Sequence, residues 1–362
     1  MFANLAVAAL AITGSILARD TDSAATAQIR VDSLRREVII TAGPIHLPAA
    51  TPYDHHLASA PIAFTWPVSG WARGYRVDLV DRDGRVLPRE MLHHAGVANL
   101  DRRQVAYPLV ERLFAAGRET PQVMLPASMG VPLSPDMRML LYYALVNPTD
   151  VAVDDASLRI TIAWVPERAH GPNNVLPLSL DAFTSDNGAS TFDVPTGVSV
   201  TTAEFTLPVG GRVRQLGGHL HDYAVELRLE DVQSGRVLAR LGADRNADGT
   251  IRGVSRARFL FHPGGLRLEA NRRYRVVGVY DNPTCATVGG AMAFVAGPFV
   301  PDDVRRVPSV DLTNPIFRQD LALLASGGQA AEHDHASMQH AEHGEHMQVA
   351  PRPMAPACSR GP

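Results

Sequence analysis

Short runs in which apolar and polar residues alternate recur along the chain, each closed by turn-forming residues. Residues 36–42 (REVIITA), 75–80 (YRVDLV) and 158–165 (LRITIAWV) read as strands with one buried face. Residues 139–146 (MLLYYALV) are apolar almost throughout, as a strand buried on both faces would be. Asp81-Arg82-Asp83-Gly84 predicts a turn before Arg85. In this half only residues 105–117 have helical spacing, with Val110, Leu113 and Phe114 on one face, and they are predicted as a helix. Around residues 167–174 (ERAHGPNN) the pattern stops, which marks a linker. It resumes over residues 200–207, 212–216, 224–229 (AVELRL), 274–280 (YRVVGVY) and 291–295. The predicted fold class is all-β: two consecutive antiparallel β-sandwich, jelly-roll-like domains over residues 35–166 and 173–301. Residues 302–362 follow as one short helix near 314–326 and a disordered His/Met-rich C-terminal tail.

Composition supports this reading and removes several chemistries. Gly 29 and Pro 27 among 362 residues suit a chain of many turns. There is no lysine: all 34 basic residues are arginine. Schiff-base lysines, pyridoxal enzymes and Walker-type nucleotide sites are therefore excluded. A net charge of −3 offers no footprint for nucleic acid. Residues 5–18 form an apolar run too short to span a bilayer, and Ala25-Thr26-Ala27 supplies a cleavage pattern. Residues 1–27 are read as a signal peptide, although no basic residue precedes the run. This predicts an extracytoplasmic protein, periplasmic or secreted, with no integral membrane span once the leader is removed. Cys285 and Cys358 do not make a disulfide framework.

The candidate chemistry rests on the 14 histidines. In Gly217-Gly218-His219-Leu220-His221-Asp222, an extended backbone puts His219 and His221 on one face, a two-point chelate for copper or zinc. Asp222 is a candidate partner for one ring, and the two glycines would allow close backbone approach. The competing reading is a pair of solvent-facing strand histidines. Met292 lies in a later strand, after the turn Asp281-Asn282-Pro283, and would add a soft thioether; its alternative is a core methionine. His93 and His94 are adjacent, so joint ligation requires a bulge or a strand end. His55-His56 reads as a loop pair. In the tail, His333, His335, His340, His343 and His346, interleaved with Met338 and Met347, form either a flexible metal-collecting segment or a solvated tract. Asp244–Gly249 (DRNADG) begins like a calcium loop, but Ser255 stands where a bidentate glutamate is needed, so it is read as a turn.

The order HH, HxH, late Met across two β domains resembles the type II copper, ascorbate-dependent monooxygenases that hydroxylate peptidylglycine or dopamine. The segments DLVDRDGRVLPREMLHHAGVANLDRR and GGHLHDYAVELRLED are similar to the stress up-regulated nodulin (SURNod-like) branch, over roughly residues 35–300. The resemblance implies copper as cofactor, and ascorbate or another reductant if the chain is an enzyme acting on a small-molecule or peptide substrate. It places an electron-transfer copper at His93 and His94, and a catalytic copper at His219, His221 and Met292. The third histidine of the first site is missing from the expected strand, where Ala144 stands near its place. The family's several disulfides are missing too. The sequence thus leaves two functions open: an oxygen-dependent hydroxylase, or a non-catalytic copper-handling or structural protein on the same scaffold.

Overall fold

The computed structural model of the chain describes residues 26–51, 57–120, 122–167, 171–183, 191–259 and 264–325. Among them the first half forms β1 (Thr26–Asp32), β2 (Glu37–Leu47), β3 (Leu57–Ala58), β4 (Ile62–Thr65), β5 (Gly70–Val80) and β6 (Leu92–Arg103). These are followed by β7 (Val110–Gly117), β8 (Val123–Met124), β9 (Met129–Leu133), β10 (Arg138–Leu145) and β11 (Val153–Pro166). One sheet has the order β1-β2-β11-β5-β9, with β8 also on β5; the other has the order β3-β10-β6-β7, with β4 on β10. Alternation builds the core between them. Ile160 pairs with Ile40 on one side and Val77 on the other, and all three are essentially buried.

The second half forms β12 (Asn173–Asn174), β13 (Leu176–Asp181), β14 (Phe192–Val194), β15 (Gly197–Thr206), β16 (Gly211–Val213), β17 (Gln215–Leu220) and β18 (Ala224–Asp231). It continues through β19 (Arg236–Arg245), β20 (Ile251–Val254), β21 (Ala257–Arg258), β22 (Leu266–Leu268), β23 (Arg273–Asn282), β24 (Val288–Ala291) and β25 (Ala293–Pro301). Here the sheets are β21-β17-β25-β16-β22, with β13 on β25, and β15-β23-β18-β19-β20, with a small β14-β24 pair. Leu229 and Val276, paired between β18 and β23, anchor a second core separate from the first. The chain is therefore an all-β fold of antiparallel sandwiches. No helix among the described residues is long and apolar enough to cross a membrane.

Three details refine the sequence reading. Residues 110–117 are strand β7, not the predicted helix. Val97 faces Phe114 and Ala98 faces Arg112, so a bulge at Leu113 breaks the period of two and leaves Leu113 and Phe114 both buried. Apolar residues from the first core and from a small third cluster cover both faces of β7, which imitates helical spacing. The segment read as a linker is partly incorporated: β12 pairs in parallel with β9, and Val175 joins the first core. Finally, Cys285 takes part in a disulfide; the only other cysteine, Cys358, lies outside the described residues. β1 begins at Thr26, inside the Ala25-Thr26-Ala27 pattern.

Helix α1 (Pro315–Ala325) follows the second sandwich but docks on the first. Asn314 Oδ1 accepts from the N–H groups of Ile316 (3.0 Å) and Phe317 (3.2 Å), capping the helix. Asp320, 1% exposed, accepts two hydrogen bonds from Arg112 (2.6 and 3.0 Å) and one from the Val110 N–H (2.8 Å). Phe317 and Leu324 cover the outer face of β6, β7 and β10 around this pair.

Each sandwich also carries the same Asn-Pro-Thr turn. Asn147 Nδ2 donates to Val151 O (2.9 Å), and Thr149 Oγ1 donates to Asn147 Oδ1 (2.7 Å). Asn282 Nδ2 donates to Ala286 O (2.9 Å), and Thr284 Oγ1 to Asn282 Oδ1 (2.7 Å). Both asparagines are fully buried, so their amides satisfy backbone groups that the turns leave unpaired.

Candidate metal centre

His219 lies on β17 and His221 just past its end, and the pleat turns both rings to one side. Their centroids are 4.9 Å apart, the planes are perpendicular, and Nε2 of one is 3.0 Å from Nε2 of the other. Two nitrogens that each bind one ion at about 2.0 Å, at angles near 90–110°, would be roughly 2.8–3.3 Å apart. The pair therefore stands at chelating separation. Gly218 lets the strand lie close to the core, since a Cβ there would lie 2.5 Å from Leu227 Cδ1 and force that side chain to shift. Beyond His221 the chain turns sharply at Tyr223 (φ 67°), a left-handed conformation that a bulky residue rarely adopts. Tyr223 is tied on both sides, its N–H to Gly249 O and its carbonyl to the Asp281 N–H, each at 2.9 Å.

The residue that orients this pair comes from the other sandwich. Glu119 follows β7 and places its carboxylate 2.7 Å from His219 Nδ1. It also accepts from Thr120 Oγ1 at 2.8 Å. Glu119 and His219 are both buried, 6% and 8% exposed. Burial pushes the Glu119 carboxyl up, but His219 opposite it and its hydrogen bonds outweigh this and hold it below the usual carboxylate range. His219 thus has its Nδ1 side against Glu119 and its Nε2 side against His221. A carboxylate behind a histidine in this way is the usual outer support of a metal ligand. Sequence reasoning missed Glu119 because nothing local marks it: it lies 100 residues from His219 and belongs to no periodic pattern. Asp222, the partner read from the sequence, is instead engaged by Arg118 and by the Ile251 N–H (2.9 Å). The consecutive residues Arg118 and Glu119 thus hold both sides of the HxH segment.

His93 and His94 reach the same place. β10 pairs Ala144 with His94 but Leu145 with Leu92, so His93 is the extra residue of a β-bulge. The bulge allows two adjacent rings to lie 4.1 Å apart, and His93 is 5.8 Å from the His221 ring, edge to face. Four imidazoles from two sandwiches thus gather in one cluster. Ala144 sits directly across from His94.

A cavity of about 350 Å³ borders this cluster between the sandwiches. Its lining includes His94, Glu119, His219, Met292 and Phe294, with Leu113, Phe114, Ala115 and Leu178 among its apolar walls. Phe294 pairs with His219 across β17 and β25, and their rings are 5.1 Å apart. Met292 lies at the junction of β24 and β25, where its carbonyl accepts from Tyr280 Oη at 2.6 Å. Among the described residues no group of three or more His, Cys, Asp or Glu side chains is already disposed around one ion. The donor set in place is the His219–His221 pair, with a thioether, a donor of another type, on the same cavity. His55, His56 and the five tail histidines lie outside the described residues.

No protein-family model and no curated protein matches the sequence. Among solved structures, the major capsid protein P2 of bacteriophage PM2 is similar at 10% identity and TM-score 0.35, over 74% of this chain and 98% of that one. PNGF-II is similar at 11% identity and TM-score 0.27, over 78% of this chain and 64% of that one.

Proposed function

We propose that the chain binds copper between its two sandwiches, with His219 and His221 as the ligand pair and Met292 as a thioether donor. One observation carries this reading: the two Nε2 atoms are 3.0 Å apart while Glu119 occupies Nδ1 of one ring. A buried and a half-buried imidazole, nitrogen to nitrogen with an anion behind one of them, leave one position for an ion between them. Two imidazoles and a thioether are a soft donor set suited to copper in its reduced state. The family resemblance adds the expectation that bound copper supplies one-electron and oxygen chemistry toward a C–H bond, with ascorbate or another reductant. The chain's own residues bind and orient. Glu119 holds the Nδ1 proton of His219, Arg118 fixes the strand end through Asp222, and Phe294 shields one side of the His219 ring from water.

A second reading, copper handling without catalysis, is favoured by Ala144. Ala144, directly opposite His94, stands near the place where the family resemblance expects a third imidazole for a separate electron-transfer copper. The test is metal analysis of untagged full-length protein whose five tail histidines are replaced by alanine. One copper per chain, lost in His219→Ala/His221→Ala, supports the site; retention of copper in that variant sinks it. Oxygen consumption with ascorbate then separates the two readings, since a handling protein turns over none.

A further inference from the structure

The cavity beside the histidines has a second polar end that the metal reading does not use. Asp181, Phe294 and His219 lie in one row across β13, β25 and β17: Asp181 pairs with Phe294, and Phe294 with His219. Residues opposite one another share a sheet face, so all three side chains look toward the first sandwich, with Asp181 and His219 about 10 Å apart. Asp181 lines the cavity. Its N–H reaches Tyr107 Oη at 3.3 Å, but among the described residues nothing hydrogen-bonds its carboxyl. Arg112, the cation that acts most on it, is already held by both oxygens of Asp320. Burial pushes the Asp181 carboxyl up to about 7; Arg112 and His219 pull the other way, and Asp320 adds to the rise. A half-buried carboxyl with no partner among the described residues, facing a largely apolar cavity, is a position where a ligand can supply one.

We propose that this cavity binds a small, largely apolar molecule with an uncharged carboxamide head, the head on Asp181 and the apolar body over Phe294 toward the histidines. The choice of head follows from its neighbours. A carboxylate head would meet Asp181 and Asp320. An ammonium head would lose its water among Leu113, Phe114 and Leu178, with Arg112 at the same end of the cavity. A carboxamide offers one donor face and one acceptor, the complement of a carboxyl group. The body then points at His219, so the molecule is the substrate class of the metal site if the reading above holds; binding itself needs no ion.

Calorimetric titration of the full chain in EDTA tests this with three probes of one shape: cyclohexanecarboxamide, cyclohexylmethylamine and sodium cyclohexanecarboxylate. The carboxamide is expected to bind at least about tenfold more tightly than either charged probe. Asp181→Asn, which keeps one donor and one acceptor, should hold that affinity within about threefold, whereas Asp181→Leu should lose about tenfold or more. Phe294→Trp, filling the floor, should block binding even if Asp181→Leu fails to fold. Preference for the amine, carboxamide binding unchanged in Asp181→Leu or in Phe294→Trp, or no binding of any probe overturns the proposal. His221→Ala separates it from the metal reading, because that ring lies outside the cavity lining: the variant should lose copper and keep the carboxamide.

Discussion

The two histidine pairs occupy the same few ångströms, yet different backbone devices bring them there. His219 and His221 share a side because a pleated strand repeats every two residues, while His93 and His94 share one because a bulge adds a residue to β6. The His219–His221 pair has a buried carboxylate on a ring nitrogen and a nitrogen-to-nitrogen contact. In the other pair, His94 faces the apolar side chain of Ala144 across the sheet. The difference teaches that imidazoles close in space are not equal as ligands: what lies behind each ring decides which one is held ready. The same contrast appears in two buried glutamates on one segment. Glu119 meets an imidazole and sits below its ordinary value; Glu111 meets mainly the Asn99 amide (3.3 Å), and burial raises it to about 7 against the pull of Arg102.

Removing both rings of the pleated pair should have the largest effect. In His219→Ala/His221→Ala, copper affinity measured by competition with a chelator is expected to fall by more than about 100-fold, beyond what loss of a supporting residue costs. Next comes the pH response of the glutamates. Glu111 keeps its proton in the fold to about pH 7 but releases it near 4.5 when unfolded. Its contribution is therefore fully present below pH 4.5 and lost as pH rises through 7, an effect on the order of 3 kcal/mol at about 1.4 kcal/mol per pH unit between the two values. Denaturant titrations of Glu111→Gln should show this decline between pH 5 and 8 removed; an unaltered slope would mean that Glu111 is not the source. For Glu119 the sign reverses, because its contribution is present above its unfolded value and fades as pH falls.

Glu119→Ala should weaken copper binding about 10–100-fold with His219 and His221 still in place. Electron paramagnetic resonance should show the change in ligand field, and an unchanged spectrum and affinity would remove Glu119 from the site. The smallest effect is expected from the bulged pair: His93→Ala/His94→Ala should cost about tenfold or less. A loss equal to that of His219→Ala/His221→Ala would erase the distinction between the pairs.

Much of the scaffold was legible in the residue pattern, because one-sided burial writes a period of two into each strand; residues 37–42 and 158–165 lie within β2 and β11 as the alternation implies, with Arg36 in the turn before β2. Where two layers cover a strand that signal fails, and β7 then reads as a helix. The HxH pair was visible for the same reason, since two residues on one strand need only the pleat. Glu119 was not, because its role exists only once one sandwich lies against the other. The chain by itself determined the all-β class, the turns, the exclusion of lysine chemistry and the identity of the candidate ligands. Only the tertiary structure decided that the two histidine pairs form one cluster, that a bulge brings His93 and His94 together, and that Glu119 and Asp181 line one cavity. Local periodicity records which face of a strand is buried; it carries no record of what is packed against that face.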